Sequence, residues 1–322
     1  MLMPNSRQIK SALLRLPNSK YLKSHSFKFH AGITIPGCLA KECFDMSRIQ
    51  GQRVCGPNLG TYSFDEFDEK KQELARLKEQ ATLFWEQEKA VLVAHGIQGC
   101  CNILDLACGP GVVTRKIKSL VPDSHVTGVD LNESLLQVAI NDSQQDGCEA
   151  PTFCKADCTN LPFEASSFDF VYARFLFQHL STPVTAVAEI KRVLKPGGRV
   201  LIVDVDDRDL DVTPACSSFE QLTRAAGVFQ TEGGGNRHVG RSLDGLLKSH
   251  HFANVKRQVE VMSSEQIGLE SFFRITTQFK IEQLPQDLAA EMRELLPEMR
   301  RQLASANAKI SAGIHVASGL AC

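Results

Sequence analysis

Short apolar segments alternate with amphipathic segments between residues 101 and 205, and this alternation constrains the fold more than any other feature of the sequence. The apolar segments are NILDLAC, HVTGVDL, TFCKADC, FDFVYARF and GRVLIVDV, and helix-like segments such as VVTRKIKSL separate them. Strands this apolar have no face for water, so helices must cover both faces of their sheet. With NVKRQVEVM and GIHVASG as the last two strands, the sequence predicts an α/β, Rossmann-like, mostly parallel sheet of seven strands.

The segments on either side of this alternation indicate how the chain is organised. Ser63 and Glu66 have the spacing of a capping box and predict the start of a helical cap. One face of that helix carries the apolar residues Leu74, Leu77, Ala81 and Phe84. In chain order the predicted parts are a tail and linker (1–62), the helical cap (63–98), a ligand-binding core (99–210) and a segment that completes the sheet (211–322) and contains an insertion at about 264–309.

The first 41 residues carry seven lysines and arginines and no acid, since Glu42 is the first carboxylate of the chain. A basic, serine-bearing, acid-free segment is typical of a transit peptide for a mitochondrion or plastid. It is equally typical of a disordered tail on a cytoplasmic protein. Both interpretations stay open, and in either one the segment lies outside the fold.

The net charge of −1 gives no global positive field that would draw the protein to nucleic acid, so no nucleic-acid partner is expected. No run of about 18 apolar residues occurs, so no membrane span is predicted. Five aspartates between residues 204 and 211 are interpreted as a solvated loop, in preference to a metal site.

Eleven cysteines at irregular spacings, without a C-x-x-C pair, predict reduced and mostly buried thiols. A soft metalloid bound by Cys38, Cys43 and Cys55 is the alternative.

The stretch ILDLACGPG at residues 103–111 places a glycine-rich turn directly after a strand. A dinucleotide fingerprint would have a third glycine where Thr114 stands, and no Lys-Ser or Lys-Thr pair follows as in a phosphate-binding loop. Asp105 suits a cationic amine, Asp130 can accept two ribose hydroxyls, and Asp157 can accept from an exocyclic amine. A ligand with an ammonium group, a ribose and a base but no phosphate fits S-adenosylmethionine. The alternative for each acid is a structural or helix-capping role.

Four segments carry a family resemblance: ILDLACGPG, VTGVDL, KADCTNLPFEASSFDFVYARFLFQHL and EIKRVLKPGGRVLIVD. In this order they resemble the class I S-adenosylmethionine-dependent methyltransferases, specifically the small-molecule group similar to enzymes of ubiquinone and menaquinone biosynthesis. The resemblance implies that the first motif contacts the methionine part of the donor, and that the next two acids hold its ribose and its adenine. The implied donor-binding residues are Asp105, Ala107, Gly109, Gly111, Asp130, Leu131, Asp157 and Cys158. Ala107 stands where the family has glycine, which predicts crowding without loss of binding.

The segment YARFLFQHL follows the fourth strand, over the position expected for the methyl group. We expect Arg174 to contact the donor, and Phe175 and Gln178 to contact the acceptor. His179 is the candidate general base, and His238 in the glycine-rich GGGNRHVGR is a further acceptor contact. The alternatives are a packing role for His179 and a solvent-exposed side chain for His238.

The insertion at about 264–309 carries an apolar surface that includes Phe272 and Phe273, and it predicts a lid over the acceptor. An apolar lid favours a hydrophobic or aromatic small molecule as the acceptor; the alternative is that the insertion only packs on the core. The predicted function is therefore methyl transfer from S-adenosylmethionine to an O, N or C atom of a small metabolite. An RNA or protein methyltransferase and a regulatory protein that binds the cofactor without catalysis are the alternatives.

Overall fold

A seven-stranded sheet runs through the part of the chain that this computed structural model describes, residues 61–67, 69–144, 150–305 and 307–322. The strands are β1 (Asn102–Leu106), β2 (His125–Asp130), β3 (Thr152–Lys155), β4 (Phe168–Arg174), β5 (Leu194–Thr213), β6 (Ala253–Ser263) and β7 (Lys309–Leu320). Their order is β3-β2-β1-β4-β5-β7-β6. The first five strands run parallel to one another, and β7 runs antiparallel to both β5 and β6. The predicted Rossmann-like fold class is confirmed.

Both faces of the sheet are covered, as the apolar strands require. Successive residues of a strand point to opposite faces. Ile103 accordingly packs in one hydrophobic cluster and Leu104 in the other, and neither is exposed. On the neighbouring strand Tyr172 and Val171 divide in the same way.

Helices pack on both sides of the sheet. They are α1 (Lys70–Leu83), α2 (Trp85–Ala94), α3 (Val112–Leu120), α4 (Glu133–Ser143), α5 (Pro183–Val193), α6 (Ser217–Glu232) and α7 (Leu243–Ser249). Between β6 and β7, where the insertion was predicted, lie α8 (Ser264–Ile267), α9 (Leu269–Phe273), a π-helical turn (Arg274–Gln278), α10 (Phe279–Glu282), α11 (Gln286–Glu294) and α12 (Leu296–Leu303). Below, "the insertion" means Ser264–Leu303.

The helical cap differs from its prediction at its start. Ser63 precedes only a 3-10 turn, Phe64–Glu66, and its side chain makes no capping hydrogen bond, so the predicted capping box is wrong. The first α-helix of the described residues begins at Lys70. On that helix the buried positions include Glu73 and Arg76, which satisfy each other as an ion pair and can therefore leave water.

The aspartate-rich run is a strand and not a solvated loop, because it pairs with β7. The side chains of four of its five acids have partners inside the protein, whereas Asp211 is exposed. Strand β5 continues to Thr213, and its pairing with β7 shifts register between Val205 and Leu210. Asp204 is buried and accepts the backbone N–H groups of Gln178 (3.2 Å) and Val205 (2.8 Å). Asp206 is buried against the Arg208 guanidinium.

Several predictions fall on residues 1–60, outside the described part of the chain: the basic tail, the linker and the trio Cys38, Cys43 and Cys55. The seven cysteines within the described part are free thiols. Cys100 and Cys322 are exposed, so the prediction of burial is wrong for these two. None of the helices in the described ranges has the length and apolar character needed to cross a bilayer.

Candidate active site

A cavity of about 1160 Å³ opens at the carboxyl ends of β1 to β5, where ligands bind in open parallel sheets. The segment before α1, the helix α1 itself and the insertion close it from above. Most of the predicted site residues line it: Asp105, Ala107, Gly109, Asp130, Leu131, Asp157, Cys158, Arg174, Phe175, Gln178, His179 and Phe272. Gly111, His238 and Phe273 do not.

The turn after β1 depends on three residues with left-handed backbone: Ala107 (φ 63°), Gly109 (φ 55°) and Gly111 (φ 71°). A side chain at Gly109 would meet no atom within 4 Å, so backbone there borders open cavity. A Cβ at Gly111 would lie 2.6 Å from the Cβ of Ala139 and 2.8 Å from Cζ of Phe153. Gly111 therefore serves close packing beneath the turn, whereas Gly109 faces the ligand space.

Asp105 is buried at the end of β1, where its carboxylate accepts the hydroxyl of Thr114 at 2.6 Å. Thr114 occupies the position at which a dinucleotide fingerprint has its third glycine. Burial raises the pKa of Asp105 to about 7, although the hydrogen bond from Thr114 opposes the shift. Arg174 also lowers this pKa without offsetting the effect of burial, so a cationic ligand group would favour the ionised carboxylate.

Asp130 ends β2 and ties the neighbouring loops together. Its Oδ2 accepts the Gly109 N–H and its Oδ1 accepts the Asn132 N–H, both at 2.8 Å. Burial raises the pKa of Asp130, and these backbone donors oppose the shift. The backbone N–H of Leu131 also interacts with this carboxylate, and a carboxylate has four lone pairs, so acceptor capacity remains for a ligand. Leu131 beside it is 41% exposed and offers an apolar surface at the cavity wall.

Asp157 follows β3 and shapes its own loop. Its Oδ1 accepts both the N–H (2.8 Å) and the hydroxyl (2.7 Å) of Thr159, and no contact within the described residues is assigned to Oδ2. The structural role that was the alternative for Asp157 thus occupies only one of its two carboxylate oxygens. Burial raises the pKa of the neighbouring Cys158 thiol to about 12, so this cysteine stays a neutral thiol at the wall.

Arg174 ends β4 and is held rigidly. Its Nε lies 3.0 Å from Oε2 of Glu88, and the hydroxyl of Tyr172 donates to Oε1 of the same carboxylate at 2.5 Å. The guanidinium stacks on Phe175, with Cζ 4.3 Å from the ring centroid. The charge of Arg174 is therefore already paired, which leaves its face and the Phe175 ring as the surfaces available to a ligand.

His179 lies in a 3-10 turn after β4, with Nδ1 3.0 Å from Oγ1 of Thr61. Burial and the nearby Arg237 and Arg76 lower the pKa of His179 to about 3, so the ring is neutral at physiological pH. Gln178 is buried and its Oε1 accepts from Nη1 of Arg237 at 3.2 Å. The structure brings both predicted residues to the cavity.

His238 lies outside the cavity lining, half-exposed, with Nδ1 3.5 Å from Oδ1 of Asp206. Its predicted acceptor contact is not supported by this position, although Gly233 and Arg237 of the same loop line the cavity. The two predicted phenylalanines also separate. Phe272 borders the cavity and meets Phe84 edge to face at 6.0 Å, whereas Phe273 points into the core beneath Arg300.

Two charged groups at the cavity were missed by sequence reasoning. In one, Glu73 receives two hydrogen bonds of 2.7 Å from Arg76 and one of 2.6 Å from the Tyr62 hydroxyl. Tyr62 lies in the segment predicted as linker. Glu73 and Arg76 lie among the apolar positions of the α1 sequence, and this departure from the amphipathic pattern could have suggested a buried ion pair.

In the other group, Asp207 pairs with Arg237 and with Lys280, all three nearly fully buried. Although burial raises it, these two cations hold the pKa of Asp207 well below its usual range. Burial lowers the pKa of Lys280 to about 8, and Asp207 opposes that shift. In the sequence, Lys280 stands among apolar residues of the insertion, and this position could have suggested a buried lysine with a carboxylate partner.

Comparisons with known proteins agree with this geometry. Residues 104–202 match the family model described as a methyltransferase domain. An uncharacterized methyltransferase of Schizosaccharomyces pombe is 32% identical over 153 residues, covering 45% of this chain and 54% of the relative. A demethylmenaquinone methyltransferase of Staphylococcus aureus is 33% identical over 125 residues, covering 38% and 51%. The chain thus spans about half the length of the curated relatives it matches.

Solved structures show the same fold at low sequence identity. Phosphoethanolamine N-methyltransferase 2 of Haemonchus contortus, in complex with S-adenosyl-L-methionine, has a TM-score of 0.53 at 21% identity, with 80% of this chain and 60% of that chain covered. The YcgJ protein of Bacillus subtilis has a TM-score of 0.51 at 19% identity, covering 73% and 97%.

The strand order, the glycine turn and the match over residues 104–202 together indicate a methyltransferase domain with a Rossmann-like fold. Within the matched region the chain is similar to ubiquinone and menaquinone methyltransferases. It is 36% identical over 111 residues to a ubiquinone/menaquinone biosynthesis C-methyltransferase of Hahella chejuensis, which covers 34% of this chain and 45% of the relative. The resemblance seen in the sequence is confirmed.

Proposed function

We propose that this chain transfers a methyl group from S-adenosylmethionine to an oxygen, nitrogen or carbon atom of a small hydrophobic or aromatic metabolite. The observation that carries the proposal is the convergence of Asp105, Asp130 and Asp157 with the Gly109 turn on one cavity. Each acid retains hydrogen-bonding capacity after its contacts within the protein are counted.

The residues fit the methyl donor part by part. Asp105 would face the ammonium group, the free lone pairs of Asp130 would accept the ribose hydroxyls, and Oδ2 of Asp157 would accept the adenine amine. No phosphate-binding group is needed, in keeping with a turn that lacks the third glycine and the P-loop lysine. When bound, the donor supplies a methyl group already activated by its positively charged sulfur.

The protein would act chiefly by positioning the two reactants. Neighbouring strands lie about 4.8 Å apart, so the ends of β3 and β5 are separated by about 19 Å along the sheet. A donor above β3, β2 and β1 leaves the β4, β5 and insertion side of the cavity for the acceptor. His179 stays the predicted proton acceptor. With a pKa of about 3 it would be unprotonated but weakly basic, so orientation would account for most of the barrier reduction.

The acceptor side supports a small molecule more than a macromolecule. Phe84, Phe272, Ile275 and Phe279 supply apolar lining, as is usual for small-molecule sites. We propose no nucleic-acid partner. We also propose a cytoplasmic location, with import into a mitochondrion or plastid through residues 1–41 as the alternative. A reporter fused to residues 1–41 distinguishes the two locations.

Calorimetry with S-adenosylmethionine and S-adenosylhomocysteine tests donor binding. Asp130→Ala should weaken both by about 10- to 150-fold, because it removes a charged hydrogen-bonding partner worth about 1.5–3 kcal/mol. Asp123→Ala is the matched control, since this exposed acid lies outside the cavity. Unchanged affinity in a folded Asp130→Ala protein would refute the ribose assignment.

Methyl transfer is tested with labelled S-adenosylmethionine against three pools: small aromatic and hydrophobic acceptors, total RNA, and peptides. Label should enter the small-molecule pool. Transfer to RNA or peptides would support the macromolecular alternative, and donor binding without transfer to any pool would support the regulatory alternative.

A further inference from the structure

The insertion turns one helical side toward the cavity, apolar at its beginning and polar at its end. Residues on this side recur at intervals of three and four, as neighbours on one helical face do. They are Phe272, Ile275, Thr276, Phe279, Lys280 and Gln283. The polar end therefore borders the same space as the aromatic rings.

The polar end contains a buried charge that the protein leaves partly uncompensated. Lys280 is 2% exposed, and its Nζ donates to Oδ2 of Asp207 at 3.1 Å. Arg237, 4% exposed, binds the same carboxylate through Nε and Nη2. Within the described ranges, Asp207 is the only carboxylate at ion-pair distance from either cation. Two cations and one anion give this group of three a net charge of +1 at the cavity wall, and the nearby Asp204, whose pKa burial raises to about 7, offsets only part of it.

Lys280 has unused hydrogen-bonding capacity, whereas Arg237 has little. An ammonium group has three donors, and the contact with Asp207 uses one of those on Lys280. The guanidinium of Arg237 is engaged on Asp207 and also on the side-chain oxygens of Gln178 and Gln230. A ligand at this wall would therefore bind Lys280.

Gln283, one helical turn further on, provides an independent observation. Its Nε2 is buried without a hydrogen-bond partner. In the described part of the chain three other side-chain atoms share this condition, on Thr182, Gln302 and Ser318, and none of these residues lines the cavity. Buried donors are normally paired, so an unpaired one at a ligand cavity points to a ligand atom that accepts it.

We propose that Lys280 and Gln283 together bind a monoanionic oxygen group, such as a carboxylate, carried by the methyl acceptor. Both residues offer donors, which selects an oxygen acceptor on the ligand, and the net charge of +1 matches a single negative charge. Phe272 and Phe279 would hold the hydrophobic body of the same molecule. The assignment rests on the proposed function, because it concerns the acceptor side of the same cavity.

The test uses benzoate, naphthalene-2-carboxylate and octanoate, each compared with its primary amide by calorimetry on the full chain. At least one carboxylate should bind ten or more times tighter than its amide. Lys280→Met should reduce this preference below twofold, while Lys280→Arg should retain most of it. Gln283→Glu should weaken the carboxylate more than the amide, because it adds a like charge. Lys256→Met, at an exposed lysine of β6 outside the cavity, is the matched control and should leave the preference unchanged.

Three results would overturn the assignment: no carboxylate binds, carboxylate and amide bind equally, or the preference survives Lys280→Met. Donor affinity, measured on the same preparations, separates this proposal from the proposed function. We expect Lys280→Met to bind S-adenosylhomocysteine like the unaltered protein. An unaltered protein that selects carboxylates but does not bind the donor would refute the proposed function and leave the anion site standing.

Discussion

Alanine at Gly109 should mainly weaken donor binding, whereas alanine at Gly111 should mainly lower stability. The two glycines nevertheless lie only two residues apart and share a similar left-handed backbone. That backbone costs an L-residue about 1–2 kcal/mol. The lower freedom of the unfolded chain offsets about 0.4–1 kcal/mol of this cost. Because a Cβ at Gly109 meets nothing within 4 Å, Gly109→Ala should lower the free energy of unfolding by less than about 1.6 kcal/mol.

Gly111→Ala adds an overpacking cost, since the new methyl would lie 2.6 Å from the Cβ of Ala139 and 2.8 Å from Cζ of Phe153. Overpacking of this kind costs about 1–3 kcal/mol, which brings the total to roughly 1–4.5 kcal/mol. At about 2–4 °C per kcal/mol for a domain of this size class, Tm should fall by several degrees.

Thermal unfolding and donor calorimetry on the two variants separate the effects. Gly109→Ala should retain most of its stability but lose at least about tenfold in S-adenosylmethionine affinity, because its methyl group enters the cavity. Gly111→Ala should show the larger loss of stability and the smaller loss of affinity once folded. Equal losses of stability would refute the distinction between a packing glycine and a ligand-facing glycine.

Three further predictions follow from the site. Affinity for S-adenosylmethionine should rise by up to about tenfold per pH unit below pH 6.5 and level off above the Asp105 pKa of about 7, because a cationic ligand favours the ionised carboxylate. Asp105→Asn should flatten this pH profile when it is measured by calorimetry. A flat profile in the unaltered protein would contradict the assignment of Asp105 to the ammonium group. Phe272→Leu and Phe273→Leu should each lower the free energy of unfolding by about 1 kcal/mol. Only Phe272→Leu should raise the KM for the acceptor, and both should leave donor affinity unchanged within about twofold. Identical kinetics for the two variants would argue that the insertion is not a lid over the acceptor. Removal of residues 1–41 should leave Tm and donor affinity unchanged, because an acid-free, serine-bearing segment contributes little to a hydrophobic core. A truncated chain that fails to fold would show that this segment belongs to the domain.

The sheet and the proposed donor side of the cavity could be predicted from the sequence. Helix α3 has the bounds Val112–Leu120, the segment predicted from its letters, because apolar periodicity and a preceding glycine turn are local properties. Asp105, Asp130 and Asp157 could be placed together for a related reason. Each follows or ends a parallel strand, and the carboxyl ends of such strands share one edge of the sheet.

The proposed acceptor side could be recognised only from the tertiary structure. Thr61 meets His179 across 118 positions, and Lys280 meets Asp207 across 73, so no local pattern relates them. The interpretation of the β5 aspartates as solvated is wrong because most of their partners, such as Gln178 for Asp204 and Lys280 for Asp207, come from distant segments. Which residues of the insertion face the cavity also depends on packing. Phe272 and Phe273 are adjacent and equally apolar, but Phe272 is the one that packs against Phe84. The π-helical turn that follows then shifts the face that the next residues present.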